Sequence, residues 1–361
     1  MTQMATTIGV LTGGGDAPGL NSVIRAVVLT ARYRFGWNVV GIREGFDGLL
    51  AGTPPVPLTE ERVRDILSRG GTILGAVNRG NPFIQAVERS DGSIDYIDLA
   101  QRGVDRIREF GLHALIVAGG DGTMAIASRL VSLGAPIVGV PKTIDNDLAQ
   151  TDVTFGFDTA IVTATDALDK LRTTAESHHR VMVLEVMGRN AGWIALLAGV
   201  AGGADAILIP EIPFDIRVVC ERIEAIRHEG RRYSLVVVAE GASPVQIDGR
   251  MVAGETGAGR LGSIGHLVGN LLADCVNAEV RVTVLGHLQR GGQPTPRDRW
   301  LATRFGSAAV HLAAQRKWGS MVALHGTRIV DVPMLSALQQ KFVDPEGEMV
   351  QMARDLGIVF G

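Results

Sequence analysis

The sequence predicts an α/β protein of two doubly wound, Rossmann-like domains with mainly parallel sheets. Short β-branched or apolar runs alternate with longer helical patterns, and glycine stands at many of the joins. A second series of such runs begins after the first closes, in a chain of 361 residues, longer than a single core usually supports. Alternation of this kind builds βαβ units, whose right-handed crossovers lay strands side by side in parallel.

In order, Thr7–Leu11 (TIGVL), Asn38–Ile42 (NVVGI), His113–Ala118 (HALIVA) and Pro136–Val140 (PIVGV) read as buried strands. Leu20–Arg34 and Met124–Ser132 read as helices between them. The second series has strands at Val181–Val186, Ala206–Ile209 and Leu235–Ala239. The stretch Asn190–Ala204 is uncharged and rich in Gly and Ala, and Asp205 interrupts it before the ~18 apolar residues of a spanning helix, so it reads as a buried helix. Asp91-Gly92-Ser93 and Ser243–Arg260 carry loop composition. The tail 341–361, of mixed charge, reads as a terminal helix or a loose end. A cleft between two such domains is the expected place for a site.

A net charge of −3, 20% charged residues and no block of like charge give no nucleic-acid or membrane-surface signal, which leaves a small molecule as the expected ligand. The N-terminus lacks the layout of a signal peptide. The two cysteines, Cys220 and Cys275, are far apart and outside any C-x-x-C spacing. That argues against a disulfide framework or a cysteine metal site and fits a reducing cytoplasm.

The chemistry concentrates in glycine-rich turns between strand and helix. Thr12–Gly19 (TGGGDAPG) lets backbone N–H groups approach an anion beside a helix N-terminus. Taken alone it reads first as a tight βα turn needing positive φ, and it has neither a P-loop ending nor G-x-G-x-x-G spacing. Gly119–Thr123 (GGDGT) repeats the geometry. Its Asp121 suits a Mg²⁺ that holds phosphate oxygens, or serves as a helix N-cap, while Gly120, Gly122 and Thr123 line the turn. Pro141–Asp147 (PKTIDND) is the strongest segment. Asp145 and Asp147, two apart, point the same way in an extended loop, and such neighbours push each other's pKa apart, leaving one to act as base. Lys142 and Thr143 add phosphate donors; the bland reading is a polar turn.

These three loops together resemble the 6-phosphofructokinase family, over Ile8 to about Arg299. Further similar segments are His178–Gly192 (HHRVMVLEVMGRNAG), Pro210–Phe214 (PEIPF), Val238–Gly241 (VAEG) and Val284–Arg299 (VLGHLQRGGQPTPRDR). The resemblance implies transfer of a phosphoryl group from ATP, or alternatively pyrophosphate, to the 1-hydroxyl of fructose 6-phosphate. Asp145 is then the base, Asp147 its support and Asp121 the Mg²⁺ ligand. Thr143 and the amides around Gly14 hold the moving phosphoryl group, and Arg189 stabilises its charge. Phe46, Arg79, Gly120, Gly122, Thr123 and Lys142 fall to the donor. Arg180, Arg281, His287 and Arg290 fall to the sugar 6-phosphate, and Met187, Gly188 and Glu240 to the sugar. Arg180 and Arg281 are expected to reach a neighbouring subunit's site, implying a homotetramer. The resemblance further implies a larger donor domain at 1–156 and 289–340 and a smaller sugar-phosphate domain at 157–288, in the cytoplasm.

Singly, several of these residues have plainer readings. His287 is a core histidine, Arg290 a solvated arginine and Met187 core packing. Glu240, ending an apolar strand, reads as a buried carboxylate needing a partner. His178 and His179 read as helix-end residues. The sequence also departs from the family pattern: Asn78 stands where an arginine is common, with Arg79 beside it, and Ile126 replaces a glycine. Arg25, Arg172, Asp205 and Arg231 match a family effector site, but Leu29 and Glu229 replace cations there. NAD kinases and lipid kinases share GGDGT; PKTIDND and GHLQRGG separate this chain from them. A nonenzymatic nucleotide sensor would keep the glycine loops and lose Asp145.

Overall fold

The computed structural model describes residues 6–77, 80–88, 93–247, 250–251 and 263–361. The chain folds into two compact units. The first comprises residues 1–144, 148–159 and 290–340; the second comprises 145–147, 160–289 and 341–361.

The first unit opens with β1 (Thr7–Thr12), α1 (Leu20–Thr30), β2 (Asn38–Ile42), α2 (Gly45–Ala51), β3 (Val56–Pro57) and α3 (Glu60–Val63). A hairpin of β4 (Ile84–Glu88) and β5 (Ile94–Asp98) precedes α4 (Ala100–Glu109), β6 (Ala114–Gly119), α5 (Asp121–Ser132) and β7 (Ile137–Pro141). The long α6 (Phe157–His178) leads into the second unit, with β8 (Val181–Val186), α7 (Trp193–Ala201), β9 (Ala206–Leu208), α8 (Ile216–His228) and β10 (Ser234–Ala239). Next come the small pair β11 (Gln246–Ile247) and β12 (Arg250–Met251), then α9 (Ile264–Cys275), β13 (Val280–Val284) and a 3₁₀ turn, Gly286–Arg290. The chain returns to the first unit for α10 (Pro296–Ala314), β14 (Ser320–His325) and β15 (Arg328–Pro333), and ends in the second with α11 (Glu348–Asp355).

The first sheet runs β15-β14-β7-β6-β1-β2-β3, parallel from β14 to β2 with an antiparallel strand at each edge. Its centre shows why an unbroken apolar run makes such a strand. In β6, Ala114, Ile116 and Ala118 enter the core against α1 and α10, while Leu115 and Val117 enter the opposite core, with Val104 of α4 and Ala127 of α5. Side chains alternate faces along a strand, so helices on both faces require apolar residues at every position. The second sheet, β13-β8-β10-β9, is wholly parallel. Val181 and Val183 pack on its α8–α9 face, while Met182 faces Ala175 and Leu171 of α6.

The disulfide expectation is corrected. Cys220 of α8 and Cys275 of α9 form a disulfide across a sequence separation of 55 residues, with 6.1 Å between their Cα atoms. The helices lie side by side over one face of the sheet, which closes a gap that spacing cannot reveal. The cysteine argument for a reducing compartment loses its support. No described helix is long and apolar enough to cross a membrane.

The tail belongs to the second unit, where Val359 bridges to Ala206 and α11 forms. Of the two stretches read as loops, residues 91–92, 248–249 and 252–260 lie outside the described residues.

One buried carboxylate joins two helix starts. Asp298, 1% exposed near the start of α10, accepts from the Thr159 N–H at 2.8 Å and its hydroxyl at 2.6 Å, at the start of α6. Burial outweighs these hydrogen bonds and pushes its pKa up to about 6. The folded protein therefore binds more protons than the unfolded chain between pH ~4 and 6. The stability gained from protonation is complete at acid pH and is lost as pH rises through 6, a change of about 3 kcal/mol. Asp298→Asn is expected to flatten this part of the pH–stability profile in denaturant titrations. Wild-type and variant curves that stay parallel from pH 4 to 7 would refute the assignment.

Candidate active site

In the first unit, loops leave the carboxyl ends of the adjacent parallel strands β1, β6 and β7, the end of an open sheet where ligands bind. Backbone bonds set their heights: Gly13 N–H donates to the Ala118 carbonyl and Lys142 N–H to the Gly119 carbonyl, each at 2.9 Å. Lys142 is 3% exposed and turns its ammonium onto the Gly15 carbonyl, tying the third loop to the first. Thr123 packs beside Gly13, where an added Cβ would come within 2.8 Å of the Thr123 Oγ1. Only glycine lets the loops approach so closely. Gly14 has φ +72°, and a Cβ there would lie 3.5 Å from Lys142 Nζ.

The helix after GGDGT begins at Asp121, earlier than the sequence reading of Met124. Asp121 is exposed and its Oδ1 accepts from Gly122 N–H at 2.7 Å. A Cβ on Gly122 would meet nothing within 4 Å. No group of three or more possible metal ligands exists among the described residues. An exposed carboxylate at a helix start fits Mg²⁺, which is often held by one or two carboxylates, waters and the phosphates of its substrate.

Phe46, among the residues expected at the donor, is 4% exposed and packs edge-on against Phe83 at 5.8 Å. Arg79, with Asn78, lies outside the described residues. Arg290 closes the same 3₁₀ turn, Gly286–Arg290, that carries His287. Its guanidinium lies over the first glycine loop, donating to the Asp16 carbonyl at 3.1 Å.

The PKTIDND segment starts in the first unit, where the Thr154 hydroxyl donates to the Thr143 carbonyl at 2.7 Å, and Asp145–Asp147 belong to the second. Asp145 and Asp147 are half-buried, alternating with buried Ile144, Asn146 and Leu148. Asn146 between them has φ +52°, a left-handed conformation that asparagine tolerates.

In the second unit the carboxyl ends of β8, β10 and β13 present Met187–Gly192, Glu240–Gly241 and the turn at Gly286. Gly188 has φ +132°, and its carbonyl accepts from Gly241 N–H at 3.2 Å. Met187 is buried, while Arg189 and His287 are exposed. Glu240 is exposed as well, contrary to its reading as a buried carboxylate, because β10 ends one residue earlier. Sequence reasoning passed over Gln289 inside GHLQRGG. It is 0% exposed, accepts from Met187 N–H at 3.2 Å and donates to the Gly286 carbonyl at 3.0 Å, joining two of the loops. The usable signal was an uncharged polar residue held inside a motif of loop composition.

Arg180 and Arg281 stand at the other end of this sheet, at the starts of β8 and β13, and both pair with Glu279. The hydrogen bond from Arg180, with the charge of both arginines, holds the Glu279 carboxyl below its ordinary range. The chain does not bring them to His287: the strand and turn between Arg281 and His287 span roughly 15–20 Å. In the family effector set, Asp205 pairs with Arg231 and Arg172 donates to the Gly202 carbonyl.

Two doubly wound units, the first closing its glycine loops on a buried lysine beside an exposed aspartate, define an α/β protein of phosphoryl transfer. The chain belongs to the phosphofructokinase family: the family profile described as phosphofructokinase matches residues 7–313. It is 55% identical to an ATP-dependent 6-phosphofructokinase of Chloroflexus aggregans, covering 100% of this chain and 99% of that protein. It is 48% identical to a pyrophosphate–fructose 6-phosphate 1-phosphotransferase of Streptomyces coelicolor, covering 98% and 99%. Among solved structures, phosphofructokinase from Saccharomyces cerevisiae matches with a TM-score of 0.75 at 33% identity, over 92% of this chain and 45% of that longer one.

Proposed function

We propose that the protein transfers the terminal phosphoryl group of ATP to the 1-hydroxyl of fructose 6-phosphate, giving ADP and fructose 1,6-bisphosphate. The observation that carries the reading is the closure of two glycine loops and Lys142 on one another beside the exposed Asp121. The full-length likeness to proteins described as ATP-dependent 6-phosphofructokinases supports ATP as donor.

In the proposed mechanism Asp145 accepts the proton of the 1-hydroxyl while its oxygen bonds to the γ-phosphorus. The bond from that phosphorus to the leaving oxygen breaks, and its electron pair departs with ADP. Asp147 supports the base. Thr143 and the amides around Gly14 hold the moving group, and Arg189 offsets its charge; such positioning and electrostatics dominate phosphoryl transfer. Gly120, Gly122, Thr123 and Lys142 hold the rest of the donor. Mg²⁺, held through Asp121, would neutralise donor phosphate charge.

Met187, Gly188 and Glu240 contact the sugar, and His287 and Arg290 its 6-phosphate. Arg180 and Arg281 complete that phosphate site in a neighbouring subunit of a homotetramer. Their place at the opposite end of the sheet from His287 supports this sharing.

A coupled assay with saturating Mg-ATP or Mg-pyrophosphate tests the donor. Turnover with ATP is expected. Turnover with pyrophosphate and none with ATP would overturn the assignment and transfer it to the second reading, which Lys142 favours through its charge beside the loop.

A further inference from the structure

We infer that the short segment Lys341–Val343, acting through Glu211 and Trp193, is a strap that fixes the loop bearing Asp145 and Asp147 against the loop bearing Arg189. Glu211 and Trp193 are thereby positioning residues. The strap begins where residues 147–149 run beside 339–341. Ala149 N–H donates to the Gln339 carbonyl at 3.0 Å, and Lys341 N–H donates to the Asp147 carbonyl at 2.8 Å. The Lys341 carbonyl then accepts from Trp193 Nε1 at 2.9 Å. Two residues further on, Val343 N–H donates to Glu211 Oε1 at 2.8 Å. The same carboxylate accepts from Gly192 N–H, at 3.0 Å to Oε1 and 3.1 Å to Oε2. An added Cβ on Gly192 would stand 2.9 Å from Oε2, so the loop is pressed against the carboxylate.

A continuous path therefore runs from Asp147 through the strap and Glu211 to Gly192. Gly192 ends the loop that carries Arg189, and Trp193 starts α7 directly behind it. Gln289 holds the other end of that loop through Met187 N–H. Arg189 is exposed and reaches outward from a backbone held at both ends, the arrangement that keeps a charged group aligned with a reacting centre. Glu211 lies in the PEIPF segment, and residues 341–343 lie in the tail; both acquire a task here.

The inference rests on the role proposed above for Arg189, and its test separates the two. Glu211→Ala is expected to lower kcat about 10- to 100-fold with a smaller change in KM for fructose 6-phosphate, because misplacement of ~1 Å costs rate on this scale. Glu211→Gln keeps an acceptor at the Oε1 position and should recover most of the loss. Trp193→Phe, which keeps a ring and removes the donor, should give a smaller fall of the same kind. In an Arg189→Ala background the Glu211→Ala change should cost nearly nothing further. Amide hydrogen exchange supplies a readout free of activity: Glu211→Ala should speed exchange at Gly192 and Val343 together. Additive losses in the double variant, or exchange that rises at only one of those amides, overturns the strap. A wild-type protein that turns over neither donor overturns the proposed function instead, and the exchange result then decides whether the strap exists.

Discussion

Asp145→Asn is expected to lower kcat by about 10²- to 10⁴-fold, the usual contribution of a positioned base, while KM for fructose 6-phosphate and the melting temperature stay close to wild type. Asparagine has the shape of aspartate and still accepts a hydrogen bond, but it cannot take the proton of the 1-hydroxyl. Buried Ile144, Asn146 and Leu148 hold the loop on either side, so the half-buried side chain can change without moving its neighbours. A large rise in KM at unchanged kcat would assign Asp145 to binding instead. The same variant tests the sharing of sites. Mixed after reversible dissociation with Arg180→Ala, it should regenerate some complete sites, because each partner supplies what the other lacks. Mixed oligomers no more active than their parents would rule sharing out.

The expectations that held are those governed by local periodicity. Strands β1, β2, β6, β8 and β10 are buried from both faces, so they read as unbroken apolar runs, and helix α7 lies within Asn190–Ala204. The hairpin β4–β5 escaped because every residue of both strands is exposed, leaving no buried face to write an alternation. Strands β14 and β15 escaped for a related reason: near the sheet edge they mix buried and open positions without a clean period. Leu20–Arg34 was read as one helix, whereas α1 stops at Thr30 and the backbone widens into a π-helical turn over Ala31–Phe35.

For the site, the sequence named side chains and could not arrange them. Asp121 and Lys142 stood out as candidates because charge at a strand-to-helix loop is locally unusual. The pairing of both Arg180 and Arg281 with Glu279 follows from how the starts of β8 and β13 meet, and the pairing of Cys220 with Cys275 from how α8 meets α9. Neither is a property of spacing. Gln289 offered only its polarity inside a loop motif, and the task of Glu211 was silent, because both act on backbone N–H groups and a sequence records no backbone hydrogen bond.

Gly122→Asp is expected to reduce kcat/KM for ATP by about 10³-fold while fructose 6-phosphate binding and the fold persist. The fold has room for the change. A Cβ at Gly122 meets nothing within 4 Å, and its backbone does not adopt positive φ. Its N–H bond to Asp121 Oδ1 survives because it belongs to the main chain. Acidic residues in the first turn of a helix are favourable by about 0.3–1 kcal/mol, so α5 should not be weakened. The ligand carries the cost. In the proposed site an aspartate here faces the α-phosphate of ATP, and two like charges ~4 Å apart repel by about 4 kcal/mol at an effective dielectric constant of 20, close to a thousandfold. Pyrophosphate has no α-phosphate and escapes this repulsion, so whatever activity it supports should survive in the variant. Lys142→Gly removes a charge shared by both donors and should leave ATP turnover measurable. Steady-state kinetics with each donor, beside thermal melts of both variants, make the comparison. ATP turnover in Gly122→Asp within a few-fold of wild type would show that the donor's α-phosphate does not pass Gly122, and the donor placement along α5 would fall with it.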